Sequence, residues 1–226
     1  MHVPDGFIDG GTSVAAGVVA AVGIGASIRV AGRKLEEHEV PLAGLTAAFV
    51  FAAQMFNFPV ASGTSGHLLG GVLAAVLLGP ATGAVCVTVV VAVQAVLFAD
   101  GGLSALGLNV VNMALVTVFA GYAIFVLLRR LLPDTHGAIA AASGVAAGLA
   151  VVCASVAFAV EYAIGGSGGA SVSAVTTAMV GVHVLIGIGE GVITGLIVST
   201  VLASRPDLVR GAASVARLEP QAAVAP

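Results

Sequence analysis

Charge is what this sequence has least of. Of its 226 residues, 8% are Asp, Glu, Lys or Arg and 59% are hydrophobic, with a mean hydropathy of +1.13. Soluble domains carry about 25% charged residues, so a soluble fold of this length could not cover its surface. Lipid is the solvent that suits the chain. Tryptophan is absent and tyrosine occurs only twice, which leaves a weak aromatic belt. The net charge of −3 comes without any basic patch, and nucleic acid is excluded as a partner on that ground. The two cysteines, Cys86 and Cys153, sit in separate apolar runs. Lacking CxxC spacing, they read as small buried hydrophobes rather than a zinc or redox centre. No GxxxxGK[ST] stretch occurs, so the chain cannot hydrolyse ATP by a P-loop mechanism. A basic-then-apolar leader is missing too. The opening Met1-His2-Val3-Pro4-Asp5-Gly6 is acidic and turn-forming, and Met1 itself is expected to begin the mature protein.

What the sequence does have is long apolar runs. They predict an all-α, polytopic membrane bundle of about seven helices, near residues 13–28, 41–57, 67–78, 81–99, 103–128, 138–164 and 172–203. The third is short for a full span. Residues 1–203 form one transmembrane domain on this reading, and residues 204–226 a polar, disordered tail. The basic residues set the orientation. Arg29, Arg33 and Lys34 follow the first run, Arg129 and Arg130 the fifth, and Arg205, Arg210 and Arg217 the last. With seven spans all eight fall on one side, which the positive-inside rule makes the cytoplasm. The amino terminus, Asp100 and the loop 57–66 then lie outside, in an inner-membrane protein with a cytoplasmic carboxy terminus.

Polar groups within such a chain are expensive, so each is a candidate for function. His38 and His136 fall in inner loops among acidic residues and read as solvated. His2 and His67 both fall on the outer side. A His at position two has specific chemistry: the α-amine, the His2 backbone nitrogen and its imidazole can close fused chelate rings around one ion. A fourth nitrogen from His67 would complete a planar set suited to Ni(II) or Cu(II) and tolerated by Co(II). The bland alternative is an accident of a frayed terminus. On the last run His183 and Glu190 share a helical face, with Gly187, Gly191 and Gly195 spaced for close helix approach; docking of a partner subunit and internal packing both fit. Ser13, Gly17, Ala21 and Gly25 make a similar stripe on the first run. Gln54 and Asn57, and Asn109 and Asn112, are amides at the outer ends of their runs. They could hydrogen-bond a metal-holding loop or tie helices together.

At these residues the sequence resembles the CbiM/NikM family. These are the substrate-binding membrane (S) components of energy-coupling-factor ABC transporters for cobalt and nickel. The opening through Phe7 carries the likeness. So do Gln54-Met55-Phe56-Asn57-Phe58-Pro59-Val60, followed by Ser62 through Gly71. Phe98-Ala99-Asp100-Gly101-Gly102, Leu106 through Met113, and His183 through Thr194 complete it. Val3 stands where the family more often has Ile. The resemblance covers about residues 1–203 and implies a non-enzymatic subunit whose amino-terminal segment dips into the bundle. It implies Ni(II) or Co(II) as transported substrate, held by Met1, His2 and His67, and no organic cofactor. Asn57, Ser65, Asn109 and Asn112 are the supporting residues expected around that site. The implied partners are a transmembrane coupling subunit, two cytoplasmic ATPase subunits and a small accessory membrane subunit. Two other readings stay open: a structural membrane subunit without a metal site, and a rhomboid-like serine peptidase using Ser65 and His183.

Overall fold

The computed structural model describes residues 1–60 and 64–212. Seven helices organise them: α1 (Gly10–Lys34), α2 (Val40–Gln54), α3 (Gly71–Leu78), α4 (Pro80–Leu97), α5 (Leu106–Leu131), α6 (His136–Gly165) and α7 (Val172–Ser204). α5 is continuous, but its central stretch Val111–Ala120 has the wider π-helical pitch. A two-residue hairpin, β1 (Phe58–Pro59) and β2 (Ser65–Gly66), pairs Phe58 with Gly66 and Pro59 with Ser65.

Five of these helices, α1, α4, α5, α6 and α7, are long and apolar enough to cross a membrane. The chain is a multi-pass membrane protein, and its outward faces agree. Val14, Val18 and Val22 on α1 are each more than half exposed, as are Leu185, Ile188 and Leu196 on α7. Lipid, not water, tolerates such faces. Helix ends carry local caps. The Asp9 carboxylate accepts from the Thr12 amide at 3.0 Å to start α1, and Thr135 and Ser171 do the same for α6 and α7.

The third helix differs from its expected 67–78. It begins at Gly71, and residues 67–70 enter the bundle as non-helical chain. All eight residues of α3 are buried, so it is apolar on every side and serves as core. Non-helical backbone at this depth must be satisfied by protein, and here it is. The Leu69 and Gly70 amides donate to the Glu190 carboxylate at 2.7 and 2.6 Å, and Gln54 Nε2 donates to the Leu69 carbonyl at 2.8 Å. Gly70, at φ +74°, closes the segment into α3 where a Cβ would run into Val50.

α6 and α7 meet backbone to backbone. A Cβ on Gly144 would lie 2.6 Å from the Gly191 carbonyl, and one on Gly148 would lie 2.8 Å from that of Gly187. Gly187, Gly191 and Gly195 therefore pack within the chain. Gly17 of α1 plays the same part against Gly107 of α5.

The tail is more ordered than expected at its start. Val209 is fully buried, and Arg210 donates to both oxygens of Glu39 at 2.8 and 2.6 Å. Residues 213–226, the rest of the expected disordered tail, lie outside the described residues.

Candidate metal centre

One end of the bundle gathers the hairpin, the α4–α5 loop, the α6–α7 loop and the amino-terminal segment. The basic residues Arg33, Lys34, Arg129, Arg130, Arg205 and Arg210 gather at the other end. The first nine residues are strapped across the first end. Val3 donates to Asn109 Oδ1 at 2.7 Å and accepts from the Gly102 amide at 2.9 Å. Asp5 accepts from the Ser104 amide and hydroxyl, which hold its carboxyl below the usual range. Ser167 donates from its amide to Phe7 O and from its hydroxyl to Gly6 O, and Asp9 donates to Gly165 O. Phe7 rests on Tyr162 with ring centroids 4.7 Å apart.

This strap drives the chain start inward. Met1 and Val3 are fully buried and His2 is 3% exposed. The His2 and His67 rings lie 4.8 Å apart, centroid to centroid. His67 Nδ1 lies 2.7 Å from its acceptor, the Leu68 carbonyl, which leaves Nε2 bare with an available lone pair. Neither ring nitrogen of His2 has a hydrogen-bond partner. Asp100 Oδ2 stands 3.5 Å from His2 Nε2, an electrostatic contact too long for a hydrogen bond, and is itself held by Asn57 Nδ2 at 2.9 Å. Burial pushes the Met1 amine well below its ordinary value and takes His2 down to about 3, the amine's charge adding to the fall at His2. Burial likewise depresses His67. Burial thus favours the uncharged form of each, the form that ligation requires.

The loop behind His2 explains the Phe98–Gly102 motif. Ala99 takes φ +53° and Gly101 φ +92°, and a Cβ on Gly101 would come within 2.8 Å of His2 Nδ1. Glycine is required there for both reasons. A cavity of about 260 Å³ lined by His2, Asp5, Ser65, Asp100 and Gly101 opens beside His2. Among the described residues no three His, Cys, Asp or Glu side chains converge as a metal cage.

The expected supporting residues divide. Asn109 clamps Val3 from both sides of its peptide, and Asn57 reaches His2 through Asp100. Ser65 lines the cavity with an unpartnered hydroxyl. Asn112 turns elsewhere, donating to Glu161 at 2.6 Å. Glu161 escaped the sequence reading, although an acid inside an apolar run was a visible signal. Asp100 was placed only by side, and Gln54 and Glu190 could not be tied to the His67 segment without the fold. Ser65 Oγ and His183 Nε2 each lack a partner, so they do not bond one another and the peptidase dyad is not assembled. Ser62 and Gly63 of the central motif lie outside the described residues.

Residues 2–208 match the family model described as CbiM, cobalt uptake substrate-specific transmembrane region. A protein of Haloquadratum walsbyi named for metal transport is 42% identical over 64% of this chain and 66% of its own length. A protein of Archaeoglobus fulgidus named as a fused nickel transport protein, NikMN, is 43% identical over 64% of this chain and 48% of its own. The cobalt transport protein CbiM of Streptomyces coelicolor is 37% identical over 58% and 57%. The chain thus matches less than two thirds of the length of each. A crystal structure described as a truncated transition metal transporter superposes with a TM-score of 0.84 at 30% identity, over 90% of this chain and 99% of that one. The chain therefore belongs to the CbiM family, the cobalt uptake substrate-specific transmembrane region.

Proposed function

We propose that this chain is the capture subunit of an ATP-driven uptake system for Ni(II) or Co(II). In this reading the ion is held by the Met1 amine, the His2 backbone nitrogen and imidazole, and His67 Nε2. The observation that carries it is the burial of the chain start, which sets the His2 and His67 rings 4.8 Å apart, each with an Nε2 that has no hydrogen-bond partner. Nothing in a purely structural subunit calls for buried imidazole nitrogens without partners. An all-nitrogen planar set suits Ni(II), and affinity order places Ni(II) above Co(II). Asp100 beside His2 would orient the ring and offset the ion's charge. His67 is aimed by the Glu190 and Gln54 bonds to the residues that follow it.

The end bearing this site faces the cell exterior or periplasm, and the basic end faces the cytoplasm of the inner membrane. ATP is hydrolysed by two cytoplasmic ATPase subunits, which act through a transmembrane coupling subunit with a small accessory membrane subunit. His67→Ala tests the reading: it removes one of four nitrogens, and metal retained after dialysis is expected to fall sharply while the circular dichroism stays helical. His38→Ala and His136→Ala, at the basic end, should retain metal like the parent. Full retention by a folded His67→Ala protein removes His67 from the site.

A further inference from the structure

Two buried imidazoles, not one, face the interior with a bare nitrogen on the α7 side of the site. His183 is fully buried, its Nδ1 lies 2.7 Å from the Met179 carbonyl, and its Nε2 has no partner. Like His67, it therefore presents a lone pair at Nε2. Its ring lies directly under β2. A Cβ on Gly66 would sit 3.6 Å from His183 Cε1, and Thr64 Oγ1 donates to Met179 Sδ at 3.6 Å, one helical turn away. The bare Ser65 hydroxyl belongs to the same strand. His183 also lies within electrostatic reach of His67.

The two stations adjoin: His2 lies between Asp100 and Asn109, and the Met1 amine is within electrostatic reach of His183. His183 is eleven residues beyond Val172, about 17 Å along α7 at the α-helical rise of 1.5 Å per residue. No three of these side chains form a cage among the described residues, so His183 does not complete the capture site as it stands. His67, whose neighbour Gly66 lies beside the His183 ring, is common to both.

We propose that His183 is a second, inward ligand. When the amino-terminal segment withdraws, the ion leaves the amine, the amide nitrogen and the His2 imidazole. The amide regains from water the proton it gave up at capture. The ion keeps His67 Nε2, gains His183 Nε2, and completes its sphere with water or the Ser65 hydroxyl. A shared ligand lets the ion move by exchange without ever being bare in the low-dielectric interior. Glu190, seven residues further along α7, holds the His67 segment in place during that exchange through its two amide bonds.

This proposal rests on the capture reading, and the test separates the two. Ni(II) affinity of the purified chain is measured by titration calorimetry, and uptake of radioactive nickel by cells that carry the complete transporter, for the parent, His183→Gln and His183→Cys. The glutamine keeps a donor for the Met179 carbonyl but offers no good metal lone pair; the cysteine loses the hydrogen bond but keeps a ligand. Unchanged affinity in both variants is expected, with uptake lowered at least about tenfold in His183→Gln and restored in part by His183→Cys. A merely structural histidine would give the reverse order. Uptake unchanged in His183→Gln overturns the proposal, and so does affinity lost to the extent seen in His67→Ala, which would make His183 part of the capture site. A parent chain that binds no nickel overturns the capture reading, and this one with it.

Discussion

Adding a single glycine before Met1 is the smallest change that tests the centre without altering any side chain. Met1 and Val3 have no exposed surface, and His2 has 3%. Val3 is pinned through both its amide and its carbonyl, by Asn109 and Gly102. The extra residue therefore cannot be absorbed by sliding the strap, and the new amine is carried away from the position where it closes a ring with the His2 nitrogen. One of four ligands is lost. Losing a residue that only orients a ligand already costs about 10–100-fold in metal affinity, so loss of a direct ligand should exceed about 100-fold. At about 1.4 kcal/mol per tenfold that is more than about 2.8 kcal/mol. Titration calorimetry with Ni(II) at neutral pH, on the extended chain and on one tagged at the carboxy terminus, reads the difference. The tag at the far end should be harmless. Equal affinity in the two proteins would refute the chelate, and the metal would have to sit elsewhere.

Three further outcomes are expected. Burial lowers the Met1 amine from its ordinary 8.0 and takes His2 to about 3, so nickel binding near neutral pH should displace little beyond the amide proton. Calorimetry in buffers of different ionisation enthalpy measures that number, and about two or more per ion would mean that the amine is protonated in the free site. Between the ordinary 6.5 of histidine and about 3, the unfolded chain binds a proton at His2 that the folded chain does not. The metal-free protein should therefore lose stability as pH falls through that window, seen as a falling melting temperature. Glu190→Gln leaves one amide of Leu69 or Gly70 facing an N–H instead of an oxygen. A loss of about 1–3 kcal/mol is expected for the unsatisfied donor, seen as a lower melting temperature together with weaker nickel binding. Unchanged melting would return Glu190 to the role of a partner contact.

Much of this architecture was legible because it obeys periodicities. Long apolar runs announce helices whatever they pack against, and their positions matched the structure to within a few residues for α4, α6 and α7. His67–Leu78 was read as one short helix because its composition is apolar throughout. The backbone at residues 67–70 can stay non-helical because Glu190, more than a hundred residues away, offers two acceptors there. The same reversal explains Glu190 itself. As a lone acid in an apolar run it could have faced a partner or the interior, and only the fold gives it backbone amides to hold.

The proposed chelate is local: a histidine at position two would set its rings by covalent geometry, and the membrane setting follows from composition. The glycines of Asp100-Gly101-Gly102 show their purpose only in three dimensions, where a Cβ on Gly101 would strike the His2 ring. Tertiary structure alone decided that the chain start is buried, that Asp100 stands beside it, and that His183 turns a bare nitrogen toward the strand before His67. Each of these pairs residues from distant parts of the chain, and no short-range pattern encodes which distant partner a buried polar group will meet.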